Sequence, residues 1–322
     1  MNLFPTFDWQ HVVVQPWTRD FNLFGWIMLM AFLVSLACGL VGNFLILRRM
    51  SLVGDAISHS VLPGLVIAFL IVRSRSSGAM FLGALAAAML TTWLIGWIHR
   101  RAGIKQDAAI GVVFSSLFAF GVVLISLYAD RVDLDQDCVL NGELALVPLV
   151  DPVTVAGWTL GPPAVVRMAV VALLTIAMIL CFYKELLVTS FDGILASSLG
   201  IRSNWVHHGL MLWLSVVVVS AFEAVGAILV IAMLILPGAT ASLLAERLPT
   251  RLGLNVVHSF LSAILGLHLG VWWDCSVGAA MVVAGAGLFG LAWIFNPTNG
   301  LIWRGRRQSL LAPPLDPALG ER

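Results

Sequence analysis

An aspartate and a histidine four residues apart are the side chains in this sequence best suited to binding a cation. Asp55 and His59 lie in the segment Ser51–Ser60, beside a long apolar run. In a helix, residues four apart share one face, so the carboxylate and the imidazole can reach the same ion. Oxygen and nitrogen ligands together suit divalent first-row metals such as manganese, zinc and iron, whereas thiolates favour copper(I). Two ligands do not complete a site, but two copies of the motif meeting across a two-fold axis would supply four.

A competing interpretation of the same pair is structural, either an internal salt bridge or an Asp55 side chain placed at a helix N-terminus. Inside an apolar span an ionisable residue is costly unless it lines a polar cavity or is paired, so we favour a role in a metal pathway. Ser58 is a small polar neighbour and a candidate pathway residue. Glu223 is another, near the outer mouth, with an ordinary acid at the membrane interface as the alternative.

The composition identifies the solvent around these residues as mostly lipid. Of 322 residues, 60% are hydrophobic and 11% are charged, whereas soluble domains carry about 25% charged residues. The apolar residues come in long runs rather than in the alternation of a porin. We therefore predict an all-α, polytopic helical membrane protein. The net charge of +1 and the lack of a basic tract give no support for nucleic-acid binding, and the four cysteines form no CxxC pair.

The apolar runs predict eight or nine transmembrane helices, since a span needs about 20 residues. The uncertain point is Ser220–Gly226, where the sixth and seventh segments must be separated by a turn in or near the bilayer. Such breaks persist only where protein or a water-filled cavity covers the backbone. The nine segments are Phe21–Leu47, Ala56–Val72, Gly78–Ile98, Ala108–Tyr128, Ala164–Phe182, Trp205–Ala221, Ala224–Ala245, Leu254–Trp273 and Val277–Phe295.

The basic residues predict the orientation, because cytoplasmic loops are enriched in Lys and Arg. With the N-terminus outside, 13 of the 18 basic residues fall on the inner side. The predicted organisation is an external segment over 1–20, a transmembrane permease domain over 21–296 in the cell membrane, and a cytoplasmic tail over 297–322. The longest outer loop holds six acids, from Asp130 to Asp151. These make either a solvated loop or a docking surface.

The inner connection Lys184–Asn204 contains a candidate contact segment. Thr189–Gly200 predicts a short amphipathic helix, opened by a Ser or Asp cap and stopped by Gly200. It suits contact with a cytoplasmic partner, and an interfacial helix on the lipid headgroups is the alternative. The sequence contains no metalloprotease helix, nucleophile elbow or phosphate-binding loop. The chain is therefore not expected to be an enzyme, and any ATP that drives it must bind another chain.

Two blocks, Leu47–Gly64 and Ala224–Ala241, resemble the signatures of the permease subunits of metal-type ABC importers, which take up manganese, zinc or iron. The segment around Asp192 resembles the cytoplasmic helix by which such permeases contact their ATPase. The positions that carry this second resemblance are Ser190, Phe191, Asp192, Leu199 and Gly200.

The resemblance implies a type II ABC importer fold in which two permeases, identical or closely related, pair within the lipid. It also implies two ATPase subunits inside the cell and an external solute-binding protein. Asp55 and His59 match positions that contact the metal in related permeases, whereas Glu223 has no counterpart there. The metal is the transported substrate rather than a permanently bound cofactor, and manganese is our first choice. We expect Asp55→Ala or His59→Ala to abolish uptake without preventing assembly.

The rival hypothesis is a proton-coupled secondary cation carrier in which Asp55, His59 and Glu223 relay protons. Such carriers are often built from inverted repeats, and the sequence shows none that is convincing.

Overall fold

The computed structural model describes residues 6–73, 77–128, 144–155, 158–296 and 300. Within these ranges, eight helices are long and apolar enough to cross a membrane, together with one shorter apolar helix. The prediction of a helical, multi-pass membrane protein is confirmed. Most of the predicted acidic loop, residues 130–143 of Asp130–Asp151, lies outside the described residues, as does the predicted tail over 297–322 except for residue 300.

The chain begins with a π-helical turn, Gln10–Val14, and the short helix α1. Long helices follow, and two short ones, α7 and α8, lie in the predicted contact segment. The helices are α1 (Gln15–Thr18), α2 (Phe21–Leu47), α3 (Val53–Val72), α4 (Ser77–Ala102), α5 (Gln106–Tyr128), α6 (Pro163–Cys181), α7 (Tyr183–Phe191), α8 (Gly193–Ser198), α9 (Ser203–Leu244), α10 (Leu248–Trp273) and α11 (Val277–Phe295).

The predicted break between the sixth and seventh segments is present, but it is a single residue inside α9 rather than a loop. Gly226 has φ 73° and ψ 169°, a combination that glycine tolerates and other residues almost never adopt. It separates a spanning part, Ser203–Phe222, from a shorter apolar part, Leu229–Leu244. The seventh predicted segment, Ala224–Ala245, is therefore real as an apolar helix but too short to count as a full span.

The connection between α5 and α6 contains extended structure that the apolar pattern did not predict. A 3₁₀ helix, Leu144–Leu149, precedes an antiparallel hairpin of β1 (Val153–Val155) and β2 (Trp158–Gly161). Gly161 has φ 106° and lies against the ring of Trp26 in α2, where a Cβ would overlap the indole. The hairpin is thus fixed to the end of α2.

The core forms around α2, which packs along α9, α10 and α6, while α3 packs against α4 and α5. Small residues let these helices approach closely, as is usual in membranes, where packing rather than hydrophobic burial holds helices together. A Cβ on Gly42 of α2 would overlap the carbonyl oxygen of Leu234 in α9, and Gly64 of α3 meets Gly83 of α4 in the same way. These contacts bring α2 close to α9, and α3 close to α4.

The two ends of the helix bundle are distinct in composition. At one end, Trp17 donates a hydrogen bond of 3.3 Å to His268 Nε2, and His268 Nδ1 donates to the carbonyl of Val12 at 2.9 Å. At the other end, Arg100 Nη1 donates to His208 Nε2 at 3.1 Å, close to Arg48, which follows the last residue of α2. We call this second end the basic end. It is the end that the distribution of Lys and Arg predicts to face the cytoplasm.

Candidate metal-binding site

Asp55 and His59 lie on one face of α3, one turn apart, as their spacing predicts. Oδ1 of Asp55 is 3.4 Å from Nε2 of His59, and the side chains are 42% and 30% exposed, respectively. The two groups are therefore in contact yet reachable from outside the chain. A carboxylate and an imidazole in this arrangement offer one oxygen and one nitrogen to a divalent cation.

The backbone around the pair explains how Asp55 is placed. Helix α3 begins after Leu52, which supplies no side-chain cap, so Asp55 falls in the first turn rather than at the cap. The preceding residue, Gly54, lies against the Leu234 side chain of α9, and a Cβ there would overlap Cδ2. Glycine thus allows α3 to start against α9. A negative charge in the first turn is also favoured by the helix dipole.

The His59 ring is held by two aromatic side chains of α5. Its centroid lies 5.3 Å from that of Phe114 and 5.9 Å from that of Phe118, with the second pair close to perpendicular. Phe118 is itself partly exposed, as is much of α5. The pair therefore opens onto a surface formed by α3 and α5. The contribution of Phe114 and Phe118 to the site follows from tertiary packing, and the sequence alone gave no signal for either residue.

The other two candidate pathway residues lie differently. Ser58 is buried, and its hydroxyl donates a hydrogen bond of 3.0 Å to the carbonyl of Gly54, so it stays inside the helix packing instead of joining the exposed pair. Glu223 lies in α9, three residues before the break at Gly226, and its side chain is outside the described part of the structure.

Among the described residues, one chain brings two candidate ligands together and not more. In the ranges that the structure describes, no three His, Cys, Asp or Glu side chains are grouped so that they could hold a metal ion. A pair of this kind gives a weak site by itself. A tighter site requires ligands from elsewhere, such as a second copy of the chain.

A comparison with protein families places this arrangement in a known group. Residues 20–296 match the model of the "ABC 3 transport family", a range that holds both Asp55 and His59. The chain belongs to the ABC 3 transport family. It is a transport protein of the cell membrane that crosses the bilayer several times. Membership in a family of ABC transporters does not favour the secondary carrier considered above.

Individual relatives of this ABC 3 protein agree with that assignment. The manganese transport system membrane protein MntD of Bacillus subtilis is 43% identical over 282 residues, covering 88% of this chain and 95% of the relative. The zinc transport system membrane protein TroD of Treponema pallidum is 42% identical, over 86% of this chain and 75% of the relative. PsaBC of Streptococcus pneumoniae, solved with a Fab, matches with a TM-score of 0.72 and 31% identity over 89% and 96% of the two chains.

In the ABC 3 protein, the predicted contact segment is two short helices joined at Asp192. The Asp192 carboxylate accepts hydrogen bonds from the backbone N–H groups of Ile194 at 2.8 Å and Leu195 at 3.0 Å, which caps α8. After α8, Gly200 adopts φ 78° and its N–H bonds the carbonyl of Ser197. The Asp cap and the glycine stop are thus confirmed, while the single predicted helix is divided in two.

The outer surface of this segment of the ABC 3 protein is apolar. Phe191 is 61% exposed and Ile194 is 83% exposed, and Leu199 is similarly open. On the other side, Ala196 is buried against the bundle. A surface of this kind on a short, capped helix pair is suited to contact with another apolar surface.

In the ABC 3 protein, Arg48 also connects this segment to the helix bundle. The sequence analysis counted Arg48 only among the basic residues on the inner side. Arg48 Nη2 donates to the hydroxyl of Thr189 at 2.8 Å, and its Nε donates to that of Ser190 at 3.1 Å. Both hydroxyls also donate backwards to carbonyls of α7. Burial lowers the pKa of the Arg48 guanidinium. No local pattern could have revealed a bond between residues 141 positions apart.

Proposed function

We propose that this chain is the permease subunit of an ATP-driven importer that carries a divalent transition metal ion into the cell, manganese in preference to zinc or iron. The observation that carries this proposal is the Asp55–His59 pair, partly exposed on one face of a mostly apolar helix. Its oxygen and nitrogen ligands suit manganese, zinc and iron alike. The order of preference rests on the names of the relatives, among which manganese systems predominate.

Two permeases side by side would bring two such pairs together. With α3 and α5 of each copy turned to a common axis, two carboxylates and two imidazoles would face one ion. Transport requires that the ion also leave, so a few moderate ligands serve better than a closed cage. The rings of Phe114 and Phe118 would then form apolar walls that hold each His59 in place.

The energy would come from a separate ATPase subunit docked on the segment Thr189–Gly200. The exposed apolar side chains of Phe191, Ile194 and Leu199 support this contact, and Arg48 offers a rigid link from it to α2, which leads directly into α3. An external solute-binding protein would deliver the ion to the opposite end. In this arrangement the membrane domain is 21–296, between an external segment over 1–20 and a cytoplasmic tail over 297–322.

Uptake of radioactive manganese into sealed vesicles tests the proposal, with the ATPase subunit and the solute-binding protein supplied. We expect wild-type uptake to require ATP hydrolysis, and Asp55→Asn and His59→Gln each to reduce it by at least about tenfold, the loss that corresponds to about 1.4 kcal/mol. Asp20→Asn and His11→Gln are matched controls, since both residues are exposed near the N-terminus.

Wild-type uptake in both site variants would refute the role of the pair. Uptake that continues with a hydrolysis-deficient ATPase but stops with a protonophore would refute the importer itself. Co-purification of the ATPase with each variant separates a transport defect from failed assembly.

A further inference from the structure

A polar cavity at the basic end of the bundle has no part in the proposed metal pathway. It has a volume of about 480 Å³ and lies between the end of α2, the start of α3, the last turns of α4, α7 and the start of α9. Its walls include the guanidinium groups of Arg48, Arg49 and Arg100 and the imidazoles of His99 and His207. This volume is in the range of sites for small molecules.

The charges around the cavity are of one sign. Hydroxyl groups add to the polar lining, and no carboxylate occurs among the described residues that line it. The guanidiniums of Arg48 and Arg100 are hydrogen bonded to the neutral partners Thr189, Ser190 and His208, none of which offsets a positive charge. Like charges gathered in a partly desolvated space repel one another. An anion placed among them would relieve that repulsion.

We propose that this cavity binds a phosphate group, either the headgroup phosphate of an anionic phospholipid or free inorganic phosphate. Guanidinium groups bind phosphate oxygens through paired N–H donors, and these charge-assisted hydrogen bonds are the strong ones. Basic pockets between transmembrane helices on the cytoplasmic side are suited to the headgroups of anionic lipids. The proposal concerns a regulatory ligand and does not depend on which metal is carried.

The depth of the cavity favours a small anion over a carboxylate from a docked protein. Its wall follows α4 from Arg100 back to Thr92, which is about 12 Å of helix at roughly 1.5 Å per residue. The exposed apolar side chains of the predicted contact segment, Phe191 and Ile194 among them, are not part of its lining. The apolar side chains suited to a protein partner thus lie outside the cavity, and only Thr189 and Ser190 of the same segment line it.

Arg48 connects the phosphate-binding cavity to the segment on which the ATPase is proposed to dock. The same guanidinium lines the cavity and donates hydrogen bonds to Thr189 and Ser190 at the end of α7. A phosphate held by Arg48 would fix this side chain and thereby order the segment Thr189–Gly200. We therefore expect the occupied cavity to stabilise the chain and to strengthen its response to the ATPase.

The test is a binding titration on the full-length chain in a phosphate-free alkyl maltoside. The probes are short-chain phosphatidylglycerol and inorganic phosphate, each followed by calorimetry and by the midpoint of thermal unfolding. We expect at least one probe to bind the wild type and raise the midpoint. Arg49→Gln combined with Arg100→Gln should weaken that binding by at least about tenfold, the equivalent of about 1.4 kcal/mol. Arg101→Gln is the matched control, because Arg101 is exposed like Arg49 and Arg100 but does not line the cavity.

The outcomes separate the sources of the phosphate. Binding of phosphatidylglycerol that inorganic phosphate does not displace identifies the lipid, whereas binding of inorganic phosphate alone identifies the free anion. Arg100→Lys keeps a positive charge and should retain part of the affinity, which guards against a folding defect in the double variant. The proposal is overturned if neither probe binds the wild type, or if the double variant binds as tightly as Arg101→Gln. A double variant that still binds the phosphate probe but no longer binds the ATPase would point to a carboxylate of the partner as the natural ligand, and this result would also overturn the proposal.

Discussion

The guanidinium of Arg48, at the end of α2, donates a 2.8 Å hydrogen bond to the hydroxyl of Thr189 in α7. Helix α2 leads through a short turn into α3, which carries Asp55 and His59. A single side chain therefore connects the predicted contact segment with the helix that leads to the candidate metal ligands. A connection of this kind can pass a displacement at one site to the other.

Replacing Arg48 by methionine should weaken both the fold and the coupling. A hydrogen bond to a charged group contributes about 1.5–3 kcal/mol, so we expect a lower midpoint of thermal unfolding. We also expect fewer metal ions transported per ATP hydrolysed, because the segment would move without α2. Arg101→Met, at an exposed position, is the control. An unchanged ratio of transport to hydrolysis in Arg48→Met would contradict the link.

Removing the cap of α8 should loosen the contact segment. Asp192→Ala leaves the N–H groups of Ile194 and Leu195 without their acceptor, a loss of about 0.5–2 kcal/mol of helix stability. We expect weaker association with the ATPase, measured by co-purification and by its stimulated hydrolysis rate. Asp192→Asn can still accept both bonds and should behave as wild type. Equal defects in the alanine and asparagine variants would show that charge matters here and capping does not.

Truncating Phe118 should impair transport, because the ring of Phe118 holds the imidazole of His59 in place. The Phe118 ring lies edge-on to the imidazole, and aromatic pairs of this kind contribute about 0.5–1.5 kcal/mol. Phe118→Ala should free the His59 ring and lower metal uptake severalfold while the chain still folds. Phe120→Ala removes a similarly exposed ring of α5 that lines a separate apolar groove with Pro63 and Leu90. Equal uptake in the two variants would exclude a positioning role for Phe118.

A side chain at position 54, at the start of α3, should destabilise the fold unless the facing side chain of α9 is made smaller. A Cβ there overlaps the Leu234 side chain, and overpacking of this kind costs about 1–3 kcal/mol. We expect Gly54→Ala to lower the thermal midpoint and Leu234→Val to restore part of it in the double variant. Gly42→Ala meets the Leu234 backbone carbonyl instead, so Leu234→Val should not rescue it. Rescue of both alanine variants would contradict this packing, and Gly25→Ala, with open space around it, is the neutral control.

Much of this protein follows from local sequence. The scarcity of charge and the length of the apolar runs are sufficient for a multi-pass helical fold, because lipid leaves the backbone few other ways to satisfy its hydrogen bonds. The spacing of Asp55 and His59 determines that they share a face, and Asp192 and Gly200 mark the bounds of α8 by the chemistry of caps. The last two of these inferences involve residues within about two helical turns.

What the tertiary structure decided is which distant residues meet. The placement of His59 against Phe118, of Gly54 against Leu234, and of Arg48 against Thr189 depends on how whole helices pack, and helices that are apolar on every side carry no periodic signal of their neighbours. The break at Gly226 was predicted as a turn of several residues, yet one glycine suffices, since its backbone reaches angles closed to other residues. The basic cavity likewise exists only because three arginines from two helix ends converge in space.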